Sequence, residues 1–550
     1  AAGSAENNAA APKDSASTPD HSTTYTQVED VDEADIVKTD GRCIYYVSRV
    51  ENQVIIARAK DGKTKRIAAV SNHGNVSTID LYIHDDQLII IGRADGDLLR
   101  TQGSQYSRGS TIMSVYDVSD PADPQKTGQY IQTGNLLSSR LVDGRVCLVT
   151  NDPVYSAIPG GSVPQTSAGS ELTPVPLEDI RCFPDAMTPA YTVISLIDTS
   201  GKKVTADRIT TSAILGGSEE IYCSGPSLYV TGDVETDRKA GEMTLLPERL
   251  SRTESRQTRI LRISLAKGKL KNRATGIVPG RINNSFSMDE YRGCFRIATT
   301  SSQSGQDVNN LFILDEKLKE TGSLQGFAPG EHIEAVRYLG NTAYVITYEQ
   351  TDPLFIVDLR DAKNPTIQGH VKISGFSTLL MPTDKQHLLG FGFSTETGDF
   401  GEYTNGLKLA LFNISDLMNP TVADTLVRTG VSSPIQYNHR ALLVGSNADF
   451  YAIPYEAAFT TVRDDVSGPT DPDTDGGDVI INDAEEPDSA DEEYTGSKSN
   501  SGILMISTRG GRIKVLRDIP TQKPLSRCIY IGDWFYGITW DDDIEAFPIG

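Results

Sequence analysis

The chain has 550 residues, 38% of them hydrophobic, which is enough for a large core and excludes disorder along its whole length. Its 74 acidic and 51 basic residues leave a net charge of −23, a field that repels nucleic acid as a partner. No run of 18 apolar residues occurs, so no segment reads as a membrane-spanning helix.

Residues 1–22 open with AAGSAENNAAAPKDSASTPD and read as a disordered low-complexity linker left after a removed signal or anchor. This predicts a secreted or cell-surface protein, exported in the bacterial manner and tethered through a missing N-terminus. Residues 23–550 read as all-β, with almost no helical periodicity. Two-strand units recur along them: LYIHDDQLIIIGRAD, SSRLVDGRVCLVTND, IYCSGPSLYVTGD, VRYLGNTAYVITYE and others. Each is a strand, a short Asp/Gly/Asn turn and a more apolar strand.

After each comes a second pair, and three copies share fixed spacing. SVYDVSDPADPQKTGQY holds Asp117, Asp120 and Pro124; LFIVDLRDAKNPTIQGHV holds Asp358, Asp361 and Pro365; LALFNISDLMNPTVADTL holds Asn413, Asp416 and Pro420. Asp or Asn ends a strand by accepting from nearby backbone N–H groups, and Pro fixes the exit. Two pairs make a four-stranded antiparallel sheet, one blade of a β-propeller. A pair of β-sandwiches would not repeat one motif at 117, 358 and 413. The favoured count is eight blades, with seven or nine open. A ninth partial unit, 527–549, invites closure by pairing with the segment near 23–29.

The three copies resemble the LVIVD-type repeat of β-propellers. TTYTQVEDVDEADIVKTDGRCIYYVS (23–48) resembles the opening signature of a family of secreted bacterial and archaeal β-propellers distantly related to WD-type repeats, with its core at Val28–Gly41. DIRCFPD followed by YTVISLID (179–198) adds to it. The resemblance implies fold and secretion. It supplies no catalytic residue.

Insertions between strands are where propellers usually carry function. Candidates are 95–110, 152–179, 233–257, 394–406 and the longest, about 455–501; residues 464–497 hold 13 Asp or Glu and no Lys or Arg. Within it, Asp471, Asp473 and Asp475 stand at alternate positions before Gly476, the oxygen-ligand spacing of a calcium loop, with Asp478 close behind. Asn482 stands where an EF-hand has a bidentate Glu, so calcium is the one cofactor suggested, against a solvated acidic loop. A second acidic cluster, Glu29, Asp30, Asp32, Glu33, Asp35 and Asp40, reads as an acidic turn anchored by Ile36 and Val37, with cation or basic-partner binding as the alternative.

No nucleotide, flavin or quinone cofactor is expected: phosphate loops, dinucleotide fingerprints and repeated Trp docking motifs are missing, and the two Trp residues, Trp534 and Trp540, both fall in the last unit. There is no GxSxG elbow and no HExxH. None of the seven His residues stands in a ligand spacing, and each reads alone as a surface or strand residue. Of six cysteines, four sit in apolar or strand settings, while Cys182 and Cys223 have loop-like settings that allow a bridge. The function expected is therefore an extracellular or cell-surface binding or scaffold protein with a protein or glycan ligand. The alternatives are a hydrolase or lyase working in the central channel and a calcium-stabilised spacer.

Overall fold

A computed structural model of the chain describes residues 19–72, 76–94, 109–154, 163–169, 171–183, 189–201, 203–235, 256–348, 352–398, 401–457 and 501–550. These form nine successive antiparallel sheets: blades 1 (37–70), 2 (76–133), 3 (135–215), 4 (220–279), 5 (288–327), 6 (332–373), 7 (376–429), 8 (431–521) and 9 (525–548). The count is nine, at the top of the range the repeats allowed and one above the favoured eight. The ninth partial unit is a sheet in its own right, with three strands.

The order of strands within a blade follows the chain. First strands of neighbouring blades touch, as Val37–Thr39 touches Val76–His84 and His332–Leu339 touches Phe376–Pro382, so the first strands line the axis. Second and third strands are sandwiched on both faces. Cys43–Ser48 is buried at every position, as expected for a strand covered on both sides. Fourth strands are the outer edge: Lys271–Pro279 alternates exposed and half-buried residues along most of its length.

A hydrophobic cluster fills each of the nine junctions between consecutive blades. The last closes the ring, with Val37, Ile44, Tyr46 and Ile55 of blade 1 against Ile529, Ile531, Tyr536 and Ile538 of blade 9. Asp542 of blade 9 reinforces it by accepting from the Ser48 hydroxyl at 2.6 Å and from the backbone N–H groups of Arg49 and Val50. Trp534 covers the Asp61–Gly62 turn of blade 1 so closely that a Cβ at Gly62 would lie 2.3 Å from its ring.

The three-copy motif occupies the link from third to fourth strand. Asp117, Asp358 and Asn413 each end a third strand and accept, through Oδ1, from the backbone N–H two residues on, at 2.9 Å in every case. Asp120, Asp361 and Asp416 repeat the bond one step later. A glycine in the fourth strand then receives the corresponding turn of the next blade. A Cβ at Gly276, Gly322 or Gly369 would lie 2.5–2.6 Å from a backbone oxygen of Leu318, Ala362 or Leu417. These links therefore also set blade-to-blade spacing.

The 152–179 insertion does not end as a rim loop. Gln165–Ser167 and Thr173–Pro174 extend blade 2 to six strands, and Ile180–Cys182 runs parallel to Ile209–Leu215 at the edge of blade 3. The 394–406 insertion is the end of a long hairpin, His387–Gly398 with Gly401–Asn413. All six cysteines are free thiols, so Cys182 and Cys223 do not bridge: Cys223 is buried in the core between blades 3 and 4, and Cys182 is exposed at a sheet edge.

Candidate functional site

The axis is occupied by the chain itself. Asp20–Ser22 lie along the first strand of blade 9, where Ser22 N–H donates to Tyr530 O at 3.1 Å and Gly532 N–H to Asp20 O at 2.7 Å. The tail thus meets the N-terminal segment on the axial side; this contact does not supply a fourth strand. The segment then crosses the channel. Tyr25 meets His439 of blade 8, and the Gln27 amide donates to Ser285 O and Met288 O beside blade 5. Val28 and Val31 pack against the cluster between blades 3 and 4. The return path pairs Asp32 with Leu141 of blade 3 and Asp35 with Leu81 of blade 2, both by reciprocal backbone bonds, before Val37 enters blade 1.

Two interruptions of first strands meet this segment. The turn 284–287 ahead of blade 5 and the turns 433–441 within blade 8 reach inward, and Phe286 stacks edge-on to His439 at 5.0 Å. Asn284, Ser433 and Asn438 start these turns by accepting the backbone N–H two residues on, so short polar side chains let the strand break away from its ladder.

The acidic cluster of 29–40 therefore does three jobs. Asp40 caps the turn N–H groups of Arg42 and Cys43. Val37 is buried as an anchor, as the sequence suggests, with Ile36 packed partly beside it. Asp32, Glu33 and Asp35 are channel residues with basic partners. Lys38 Nζ donates to Asp32 at 2.7 Å; Arg527 Nε donates to Asp35 at 3.0 Å; Glu33 lies 3.0 Å from His439 Nε2 and 3.9 Å from Arg140. Arg440 bonds Ala34 O and lies 3.8 Å from Asp80.

Burial alone would push the Glu33 carboxyl up, but Arg140, the His439 hydrogen bond and Arg440 overcome it and hold it well below the usual carboxylate range. Asp80 goes the other way, pushed up to about 6 by burial, with Arg440 opposing and Asp35 adding. A cavity of about 150 Å³ remains beside Ser22, Asp35, Lys38, Arg440 and Arg527. Its charged groups are already engaged with one another. A larger one, about 390 Å³, opens at the turns of blades 3 and 4 beside Glu29, Asp30, Arg145 and Lys267.

The opposite face differs. The first strand of each blade starts there and the second ends there, and every long insertion joins a second strand to a third: 95–109, 154–189, 236–255 and 458–500. On this face Glu219 and Asp233 of blade 4 share a hydrogen bond; burial first, then Asp233, pushes Glu219 up to about 7, and Arg256 stands 3.7 Å from Asp233. A row of rings crosses blades 6 to 8. His332 and Tyr348 are 6.2 Å apart, Tyr348 and Phe376 4.6 Å, Phe376 and Phe393 5.0 Å, and Phe393 and Tyr437 5.5 Å.

Asp471, Asp473, Asp475 and Asp478 lie outside the described residues. Among the described residues no group of three or more His, Cys, Asp or Glu is placed to hold a metal ion, and no helix is long and apolar enough to cross a membrane. Sequence reasoning missed Arg140, Arg440, Arg527 and His439, because each lies more than 100 residues from its acid. An Arg inside an otherwise apolar first strand, as in SSRLV and LSRCIYI, is the one signal that marks two of them.

The family model described as a beta propeller domain matches residues 21–549. The chain belongs to that family. An uncharacterised protein of Archaeoglobus fulgidus is 28% identical over 507 residues, covering 79% of this chain and 75% of the relative. An uncharacterised protein of Methanocaldococcus jannaschii is 38% identical over 204 residues, covering 36% of this chain and 31% of the relative. The family match starts at the residues that enter the axis, so in this β-propeller the crossing segment is part of the matched domain.

Proposed function

We propose that this β-propeller is an extracellular or cell-surface binding protein that presents its insertion face to a ligand. The observation that carries the reading is the asymmetry of the ring. One end of the channel is filled by residues 20–36, whose Asp32, Glu33 and Asp35 are matched to bases of the wall, whereas the long insertions all spring from the other face. A buried acid already paired with an arginine makes a poor proton acceptor for a substrate, which counts against catalysis at the axis. Export is supported by the resemblance of Val28–Gly41 to secreted propellers.

The test is co-sedimentation with cell envelopes of the source organism. The purified protein is expected to sediment with them. Variants with 236–255 and 458–500 cut to short Gly-Ser turns should keep their melting temperature and lose the association. A protein that stays in the supernatant, or shortened variants that sediment as before, would defeat the reading.

A second reading has one observation behind it. Glu219, near 7, and Asp233 form a proton-sharing carboxylate pair on the same insertion face, a pairing suited to general acid–base work. Hydrolysis of chromogenic glycosides that is lost in Glu219→Gln would favour the enzyme. The calcium reading rests on the spacing of Asp471, Asp473, Asp475 and Asp478, and predicts a calcium-dependent rise in melting temperature that vanishes when 464–497 is removed.

A further inference from the structure

We propose that the aromatic row on the insertion face binds an uncharged oligosaccharide chain; this rests on the binding-protein reading and names its ligand class. Five side chains, His332, Tyr348, Phe376, Phe393 and Tyr437, touch in series, with consecutive centres 4.6–6.2 Å apart. Folding alone does not require the two ends of the row to be where they are. The His332 side chain is 42% exposed and Tyr437 is 80% exposed, whereas core rings of the same blades, such as Phe391 and Phe412, are fully buried. An aromatic side chain so exposed gains nothing from the core and offers its apolar surface to a ligand.

The direction of the row selects the ligand. It passes from blade 6 to blade 7 to blade 8, across the strands, so no single sheet edge runs beside it. A peptide bound by strand addition needs such an edge. A chain held here meets side chains throughout. The inner three rings are inclined by 36° and 32°, while the outer two stand at 83° and 68° to their neighbours, so the strip turns from one blade to the next. A chain of linked rings with apolar C–H faces and polar rims fits a segmented strip of this kind.

The flanks carry paired hydrogen-bonding groups. At one end the His332 ring lies 2.8 Å from Glu334. Next to Phe393, on the long hairpin of blade 7, the Asn405 amide donates to Glu396 at 3.1 Å and accepts from the Ser394 hydroxyl at 2.6 Å, and Tyr403 of the same hairpin is also exposed. Carboxylate and amide groups fixed side by side accept from and donate to vicinal hydroxyls. The carboxylates Glu334 and Glu396 along the row, in a chain of net charge −23, repel sulfated or phosphorylated polymers, so the ligand is an uncharged one.

The experiment is affinity gel electrophoresis of the full chain in gels cast with a β-glucan, a mannan or an arabinogalactan, with a sulfated polysaccharide as charge control. At least one neutral polysaccharide should retard the protein, and the sulfated one should not. Tyr437→Ala and His332→Ala change exposed side chains, so both variants should keep the wild-type melting temperature. Each should weaken retardation about tenfold. No retardation by any neutral polysaccharide, retardation unchanged in both variants, or capture of a proline-rich peptide in place of the glycans would overturn the proposal. Envelope association that survives in both variants but not in the insertion-shortened ones would overturn the glycan site and leave the binding-protein reading standing.

Discussion

The two ends of the channel are built from the same blades and use charge in opposite ways. At the end where blades 9, 1, 2 and 3 meet residues 20–36, buried and half-buried acids each have a basic partner: Asp35 with Arg527, Asp32 with Lys38, and Glu33 with both His439 and Arg140. On the insertion face, rings and carboxylates reach solvent, and burial first, then the neighbouring Asp233 carboxylate, pushes Glu219 up to about 7. A buried pair fixes one arrangement of the chain, while a solvent-facing row leaves groups free for a partner. One end of the axis thus holds the protein's own N-terminal segment, and under the proposed function the other face carries the ligand site.

The largest effect is expected at the filled end. Glu33→Ala leaves Arg140 and His439 facing each other in a buried site without their carboxylate, and should cost about 3–5 kcal/mol in denaturant unfolding. Next comes ring closure: Asp542→Ala removes the acceptor of Ser48, Arg49 and Val50 and should cost about 1–2 kcal/mol, with a lower melting temperature as the readout.

The pH dependence carries two opposite signs: Glu33 and Asp80, both at the filled end, shift in opposite directions, and Glu219 of the insertion face shifts with Asp80. Glu33 sits below its ordinary value when folded, so its stabilisation is present at neutral pH and is lost as pH falls through the acid range. Asp80 and Glu219 sit above theirs, so their contribution is full at low pH and is lost as pH rises towards about 6 and about 7. Melting temperature measured against pH should therefore pass through a maximum on the acid side, and Asp80→Asn should flatten the fall between about 4 and 6. The smallest effect belongs to the insertion face: replacing 458–500 by a short turn should change the unfolding free energy by no more than the roughly 0.5 kcal/mol expected of surface changes.

Much of the scaffold was legible because its signals are local. Asp117, Asp358 and Asn413 end strands by bonds to residues two positions away, whereas the close approach of the next blade's turn to Gly322 and Gly369 shows only in the folded ring. The filled axis was not legible. Asp35 and Arg527 are 492 positions apart and meet only because the ring closes, so an acidic stretch and a lone arginine each look like solvated surface until the topology joins them. The aromatic row was hidden for a related reason. Phe376 opens its strand, but Phe393 sits opposite it in mid-strand, two residues from the buried Phe391, so alternation alone does not tell the rim ring from the core ring. Count was the marginal case: RCIYIGDWFYGITW founds a ninth sheet with its own third strand, Ile544–Pro548, rather than completing an earlier blade, a choice of pairing that the sequence does not specify.

The most direct test of the filled channel is hydrogen–deuterium exchange of the peptide covering residues 28–38 in the full chain. Asp32 and Asp35 donate their N–H groups to Leu141 and Leu81 at 2.9 and 3.2 Å, within a paired and buried segment. Their amides should exchange as slowly as those of Val76–His84 and Asn135–Val142, the strands they lie against. Exchange of both amides within seconds, while those two strands stay protected, would mean that the segment does not occupy the axis.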